Sequence, residues 1–88
     1  MEPLRTGVKI EEISCKSLAK CFDNKSIREL DVANKTGANI IGLKNGNNDY
    51  LVKPPAATLL TSEDQIFVLG TRAQISALKE LISSGQSN

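Results

Sequence analysis

A β-hairpin pattern in the middle of the chain constrains the fold more than any other feature. An apolar run over residues 38–44 is followed by the turn cluster Asn-Gly-Asn-Asn at 45–48 and by a second run over 49–53. An Asn-Gly pair between two such runs is typical of a tight hairpin turn. The Pro-Pro pair at 54–55 ends the second run, because proline cannot donate a hydrogen bond to a neighbouring strand. The pattern predicts two paired strands and therefore an antiparallel sheet.

Two further strands are predicted on either side of this hairpin. Residues 8–14 alternate at their start, with Val8 and Ile10 on one face, whereas Ile13 breaks the alternation by one position. That break predicts a β-bulge in the first strand. Residues 65–70 form a continuous apolar run, which is typical of a strand in the centre of a sheet.

Two helices complete the predicted set of elements. Ser26 is a candidate N-cap for a helix from Ile27 to about Lys35, and Gly37 suits its end because glycine adopts the left-handed conformation. A second helix follows Thr71, with a glutamine three residues on in capping-box position. Its apolar residues share one face: Ile75, Leu78, Leu81 and Ile82.

The order of these elements predicts an α+β fold, β-α-β-β-β-α, in which two helices pack on a small four-stranded, mainly antiparallel sheet. Residues 17–22 fit either a short helix or a loop, and residues 56–64 are predicted to be an irregular connection. The 88 residues suffice for one small domain.

Composition excludes several classes of function. Eleven basic and ten acidic residues leave almost no net charge, and there are only three aromatic residues, so no nucleic-acid partner is expected. The absence of histidine removes the commonest general base and metal ligand, so we expect neither an enzyme nor a metal site. Cys15 and Cys21 fit free thiols in a reducing compartment. No apolar run approaches the roughly 20 residues that direct membrane insertion requires.

Two segments are candidates for ligand contact. In residues 36–40, Asn39 stands at the start of an apolar strand, where its amide can hydrogen-bond a base edge or a backbone. Residues 53–55 (Lys-Pro-Pro) form a rigid apolar shelf after the partner strand. Both segments also fit ordinary turn and strand-end roles, and the pattern does not choose between the two interpretations.

The motifs taken together resemble a known family. Residues 25–31 (KSIRELD), 36–46 (TGANIIGLKNG), 54–60 (PPAATLL) and 64–71 (DQIFVLGT) occur in the order typical of the TrkA-type C-terminal domain, the second lobe of the regulator-of-potassium-conductance (RCK) unit. The resemblance covers residues 8–82 and leaves 1–7 as a leader or linker and 83–88 as a polar tail. It implies a four-stranded sheet with two helices, and a homodimer on the cytoplasmic side of the cell membrane.

The resemblance also implies the surroundings of this domain. Family members usually follow a nucleotide-binding lobe, but no Gly-x-Gly-x-x-Gly run is present, so NAD or ATP binding is not expected and no cofactor is predicted. We therefore expect a module from a longer chain, whose partner is the remainder of a membrane channel or transporter.

Some family members bind cyclic di-AMP in the dimer cleft. By resemblance, the matching positions in this sequence are Ile27, Asp31, Val32, Asn39, Ile40 and Pro55. The apolar members of this set suit the walls of an adenine pocket, and Asn39 suits a hydrogen bond to the base edge or a phosphate. Some members place a basic residue two positions after the aspartate, where this chain has Ala33; Arg28 and Lys35 are the candidates to replace it.

The leading functional prediction is a cytoplasmic regulatory, ligand-sensing and dimerisation domain of a potassium channel or potassium uptake transporter, with cyclic di-AMP as the candidate ligand. The alternative is a structural dimerisation lobe of another ion transporter, sodium/proton or anion, with no small-molecule ligand. The residues do not separate these hosts.

Overall fold

The computed structural model describes residues 7–84. In chain order its elements are β1 (Lys9–Ser14), a short 3-10 helix (Lys20–Phe22), β2 (Lys25–Ser26), α1 (Ile27–Leu30), α2 (Val32–Thr36), β3 (Asn39–Lys44), β4 (Tyr50–Val52), β5 (Leu59–Leu60), β6 (Gln65–Gly70) and α3 (Arg72–Ser84).

The main sheet has four strands in the order β1-β6-β3-β4, and every neighbouring pair is antiparallel. This confirms the predicted fold class. It also confirms that the apolar run over 65–70 is central, because β6 pairs with both β1 and β3. Ile66 and Val68 alternate with half-buried neighbours and are fully buried against the helices. The sheet therefore has one face packed on the core.

The predicted bulge in the first strand is wrong. β1 pairs with β6 in unbroken register from Lys9 opposite Gly70 to Ser14 opposite Gln65. Ile13 is buried, whereas the side chain of Ile10 is 62% exposed. Because three positions separate them, the two isoleucines lie on opposite faces of a regular strand. The bulge of this sheet lies in β3 instead, between residues 40 and 42.

The hairpin is confirmed, but its turn differs from the two-residue Asn-Gly type. The backbone N–H of Asn45 donates to the carbonyl of Asp49 at 3.0 Å, which encloses a three-residue loop. Asn48, rather than Gly46, takes the left-handed conformation, with φ 66°. The Asn45 side-chain oxygen accepts from the N–H groups of Asn47 and Asp49 and closes the loop.

The first helix begins and ends as predicted but is not continuous. Ser26 caps it, and the box is reciprocal: the Ser26 hydroxyl accepts from the Glu29 N–H, and the Glu29 carboxylate accepts from the Ser26 N–H. Gly37 ends it with φ 82°. Between these points Asp31 adopts the left-handed conformation, at φ 52° and ψ 43°, and divides the helix into α1 and α2. The prediction of one helix over 27–35 is corrected accordingly.

The last helix matches its prediction closely. The Thr71 hydroxyl accepts from the Gln74 N–H at 3.1 Å, and the Gln74 side-chain oxygen accepts from the Thr71 N–H at 2.9 Å. The predicted apolar face is buried, at Ile75, Leu78, Leu81 and Ile82.

Residues 56–64, predicted to be irregular, contain β5, which pairs with β2 as a separate two-stranded sheet. The ambiguous segment 17–22 ends in the 3-10 helix.

The predicted domain limits fall partly outside the described residues. Residues 1–6 of the predicted leader and 85–88 of the predicted tail lie beyond them, and α3 includes residues 83 and 84. Within residues 7–84, no helix combines the length and the apolar composition that crossing a bilayer requires.

Candidate functional site

A cleft of about 270 Å³ opens where α1, α2 and the start of β3 meet. Its lining residues are Ile27, Arg28, Asp31, Val32, Ala33, Ala38, Asn39 and Ile40. Five of the six positions that the family resemblance implies as ligand contacts are in this lining; the exception is Pro55. The fold therefore brings together residues from two helical segments and one strand.

The helix break at Asp31 shapes one wall of the cleft. The Asp31 N–H donates to the carbonyls of both Ile27 and Arg28 at 3.2 Å, which closes α1. A left-handed residue other than glycine costs about 1–2 kcal/mol. The Asp31 carboxylate accepts a hydrogen bond of 2.9 Å from the Asn34 side chain, which favours this geometry. After the break, Val32 begins a second helical segment on the same cleft.

The turn from α2 into β3 shapes the opposite wall. The Thr36 hydroxyl donates to the Val32 carbonyl at 2.8 Å and accepts from the Ala38 N–H at 3.1 Å. Gly37 carries the chain through its positive φ, and Ala38 is fully buried. Asn39 emerges from this turn as an exposed residue at the start of β3, next to Ile40, which packs against the core.

Pro55 lies beside the cleft rather than in its lining. Its carbonyl accepts from the Thr58 N–H, and the carbonyl of the next residue, Ala56, accepts from the Arg28 N–H at 2.9 Å. The Thr58 carbonyl accepts from the Ile27 N–H at the same distance. The segment after Pro55 is therefore hydrogen-bonded to the start of α1, and Pro55 itself is adjacent in sequence to Ala56, which bonds the cleft residue Arg28.

The lining combines apolar walls with a few polar groups. Ile27 and Ile40 are half-buried and offer apolar surface suited to a planar ring, Val32 is buried beneath them, and Asn39 offers both a donor and an acceptor. Of the two basic candidates, Arg28 lines the cleft. Lys35 does not; its ammonium nitrogen lies 5.9 Å from the centre of the Phe22 ring.

Two exposed apolar side chains, Val52 and Leu59, lie on strands that adjoin the elements of the cleft and were not predicted as site residues. Val52 is 78% exposed and pairs with Gly42, two residues from Ile40. Leu59 is 51% exposed and pairs with Ser26, which precedes the first cleft residue. Apolar residues on both faces of a short strand are the signal that identifies such surfaces in a sequence.

The two cysteines are both free thiols, Cys15 buried and Cys21 exposed. Burial raises the pKa of the Cys15 thiol to about 11, and the Asp64 carboxylate adds to the effect. Among the residues that the structure describes, no three acidic or cysteine side chains are grouped as a metal site.

The structure is that of a small α+β domain with a partly apolar cleft at a broken helix, and the residues that it describes include no metal-binding cluster. Comparison with known families gives the assignment: the profile of the TrkA-C domain matches residues 10–83. The chain belongs to the TrkA-C domain family.

The comparisons also identify individual relatives. Potassium channel protein 1 of Methanocaldococcus jannaschii is 33% identical over 63 residues, which are 72% of this chain and 19% of the channel protein. The chain therefore spans only a small part of that relative.

Two solved structures have the same fold. The RCK C domain of the potassium transport protein KtrA, in complex with cyclic di-AMP, has a TM-score of 0.75 at 23% identity, covering 90% of this chain and 88% of that one. The RCK_C domain dimer of Streptococcus agalactiae BusR, also in complex with cyclic di-AMP, has a TM-score of 0.72 at 26% identity, covering 88% and 91%.

Proposed function

We propose that this chain is the cytoplasmic regulatory, ligand-sensing and dimerisation domain of a potassium channel or potassium uptake transporter, and that its cleft binds cyclic di-AMP. The observation that carries the proposal is the cleft itself. Five positions that family members use for this ligand surround one cavity, with apolar walls and an amide at its mouth. Two relatives of the same fold are known in complex with cyclic di-AMP.

The shape and chemistry of the cleft suit half of this ligand. One adenine ring packs between Ile27, Val32 and Ile40, where its apolar faces leave water. The Asn39 amide hydrogen-bonds the polar edge of the ring, because an amide offers a donor and an acceptor side by side. We assign one adenosine, half of the dinucleotide, to this open cleft of about 270 Å³.

A second copy of the chain accommodates the other half. Cyclic di-AMP is two-fold symmetric, and a two-fold dimer presents two equivalent clefts to its two adenosines. We propose that the partner copy also covers two exposed apolar side chains outside the cleft: Leu59, which pairs with Ser26, and Val52, which lies opposite Gly42 at the end of β4. We place the dimer interface on this side of the domain.

Regulation follows if the ligand prefers one geometry of the dimer. Ligand binding shifts a conformational equilibrium only by the difference in its affinity for the two states. A ligand that bridges two clefts binds best at one separation of the two copies. The domain then transmits ligand occupancy to the attached transport protein as a change in the arrangement of its copies.

Calorimetric titration with cyclic di-AMP tests the ligand. We expect saturable binding of one ligand per two chains, weakened by Asn39→Ala, which removes an exposed side chain without disturbing the core. Titration with adenosine and with cyclic di-GMP provides the matched ligand controls. If the chain is dimeric but cyclic di-AMP at high micromolar concentration gives no binding heat, the result would favour the alternative function, a structural dimerisation lobe that binds no small molecule.

Light scattering tests the interface. We expect a mass of twice 9.5 kDa for the wild type and a monomer for Val52→Lys. Ile10→Lys is the control, because Ile10 is similarly exposed but lies on β1, at the opposite edge of the sheet from β4. Dissociation by Ile10→Lys, with Val52→Lys still dimeric, would place the interface elsewhere.

A further inference from the structure

The charges around the cleft point to a particular residue for binding an anion. A cyclic dinucleotide carries two negatively charged phosphodiesters, and these need cationic or N–H donors nearby. Arg28 and Asp31 are the charged residues of the lining. Position 33, which also lines the cleft, is alanine and supplies no charge. Any ionic attraction for the phosphates from this lining therefore comes from Arg28.

The Arg28 side chain is available for this role. The ion pairs formed within residues 7–84 are Lys9–Glu11, Lys44–Glu12 and Lys79–Glu11, and Arg28 takes part in none of them. Asp31 is three residues further along, but its carboxylate is bound by the Asn34 amide at 2.9 Å. The guanidinium group is thus exposed beside the cleft without an acidic partner in the described residues.

The backbone of Arg28 is fixed although its side chain is exposed. Its N–H donates to the Ala56 carbonyl at 2.9 Å, and its carbonyl accepts from the Asp31 N–H at 3.2 Å. The side chain therefore starts from a defined point on the cleft rim. This reduces the backbone ordering that ligand binding requires, which is one source of affinity.

We propose that Arg28 is the phosphate-binding residue of the cleft. The inference rests on the proposed function, since it names the group that recognises the anionic part of the same ligand. A guanidinium group presents paired N–H donors that match two phosphate oxygens. In a two-fold dimer each copy contributes one Arg28, and the two copies of the side chain bind the two equivalent phosphodiesters.

The test compares Arg28→Gln with Lys35→Gln by calorimetric titration of the full chain with cyclic di-AMP. Charge-assisted hydrogen bonds of this kind account for about 10- to 100-fold in affinity, so we expect Arg28→Gln to weaken binding by that factor. Its remaining binding should also lose most of its dependence on salt. Lys35→Gln removes an equal charge one turn from the cleft lining and should leave the affinity within about twofold.

Arg28→Lys refines the test, because lysine keeps the charge but loses the paired donors. We expect an affinity between those of the wild type and Arg28→Gln. Unchanged thermal unfolding of the Arg28 variants confirms that they are folded, as expected for an exposed side chain.

The failures of the two proposals are distinguishable. Equal affinities of wild type and Arg28→Gln for cyclic di-AMP overturn the role of Arg28 and leave the proposed ligand intact. Equal losses in Arg28→Gln and Lys35→Gln also overturn it, because they indicate a general charge effect. No binding of cyclic di-AMP to the wild type overturns the proposed ligand and the role of Arg28 together.

Discussion

The two helical regions of this domain begin with the same device and end differently. α1 starts with a reciprocal capping box of Ser26 and Glu29, and α3 starts with one of Thr71 and Gln74. α3 then continues for 13 residues, whereas α1 ends after four and α2 follows it for five. The difference therefore arises after the cap, in where the apolar residues are placed.

The spacing of buried residues explains the different outcomes. In α3 the buried residues recur at intervals that keep them on one face of a continuous helix. In the first region the buried residues are Leu30 and Val32, two positions apart. Residues at that spacing point to nearly opposite sides of a continuous helix. The left-handed residue Asp31 between them allows both to be buried.

The regular and the irregular halves of the domain differ in what they contribute to the structure. The regular half, β6 with α3, supplies six of the 14 buried core residues in the described part of the chain. The irregular half contains the helix break, the left-handed Gly37 and the β3 bulge, and all three lie within or next to the cleft. Each irregularity changes the direction of the chain, so the cleft is a product of departures from regular structure.

The largest effect is expected from truncation in the regular half. Leu78 of α3 is fully buried, and Leu78→Ala should lower the free energy of unfolding by about 2–5 kcal/mol, measured by urea denaturation. Leu30→Ala is the matched variant, since Leu30 is equally buried. We expect a smaller loss there, because a four-residue helix that the Asp31 break separates from α2 has fewer packed neighbours on its own element and can relax around the cavity more easily than the 13-residue α3. If Leu30→Ala lowered the free energy of unfolding as much as Leu78→Ala or more, the two helical regions would not differ in how well they adjust to a cavity.

An intermediate effect is expected at the turn into the cleft. Gly37 has φ 82°, and a Cβ there would lie 2.6 Å from the Gln74 side-chain nitrogen. Gly37→Ala should therefore cost about 1–2 kcal/mol from the backbone conformation alone. Gly46→Ala is the control: its φ is not positive, and the three atoms nearest to its Cβ would belong to the Glu63 side chain. If both variants were equally stable by thermal unfolding, the left-handed turn would not be a requirement of the cleft.

The smallest effect distinguishes the two caps by pH. Hydrogen bonds from the Ser26 backbone and side chain hold the pKa of Glu29 below its ordinary value of 4.5, whereas Gln74 does not ionise. A lowered folded-state pKa contributes stability above about pH 4.5 that is lost as the pH falls through the folded value. Glu29→Gln should flatten this acid-side loss. Thr71→Ala should lower the free energy of unfolding by an amount that does not change with pH, because neither partner in that cap ionises. Parallel pH profiles for wild type and Glu29→Gln below pH 4.5 would contradict the assignment.

The elements that could be predicted are those whose signals are local. The face of α3, the central strand and the hairpin follow from side-chain periodicity and from residues that suit turns and caps. The same reasoning gave a bulge in β1, because it assumed that apolar residues lie on one face. Ile10 is instead exposed on the other face, and no local signal distinguishes an exposed apolar residue from a shifted one.

The features that could not be predicted depend on tertiary contacts. An aspartate does not by itself require a left-handed conformation. Asp31 adopts it because Leu30 and Val32, on either side, are both buried. The pairing of β2 with β5 involves two residues from each strand, too few for a periodic pattern. The candidate site positions came from the family resemblance, and the structure brings five of the six together because the helix break and the Gly37 turn face one another across the cleft.

The residues that end β4 affect how this edge strand can pair with other chains in solution. β4 is an edge strand of three exposed residues, Tyr50, Leu51 and Val52, and an apolar edge of this kind can template pairing with other chains and start aggregation. Lys53 turns the chain away at φ 53°, and the two prolines after it offer no N–H to a further strand. A strand from another chain can therefore pair with β4 over three residues only, which limits the length of any β-sheet that this edge could extend.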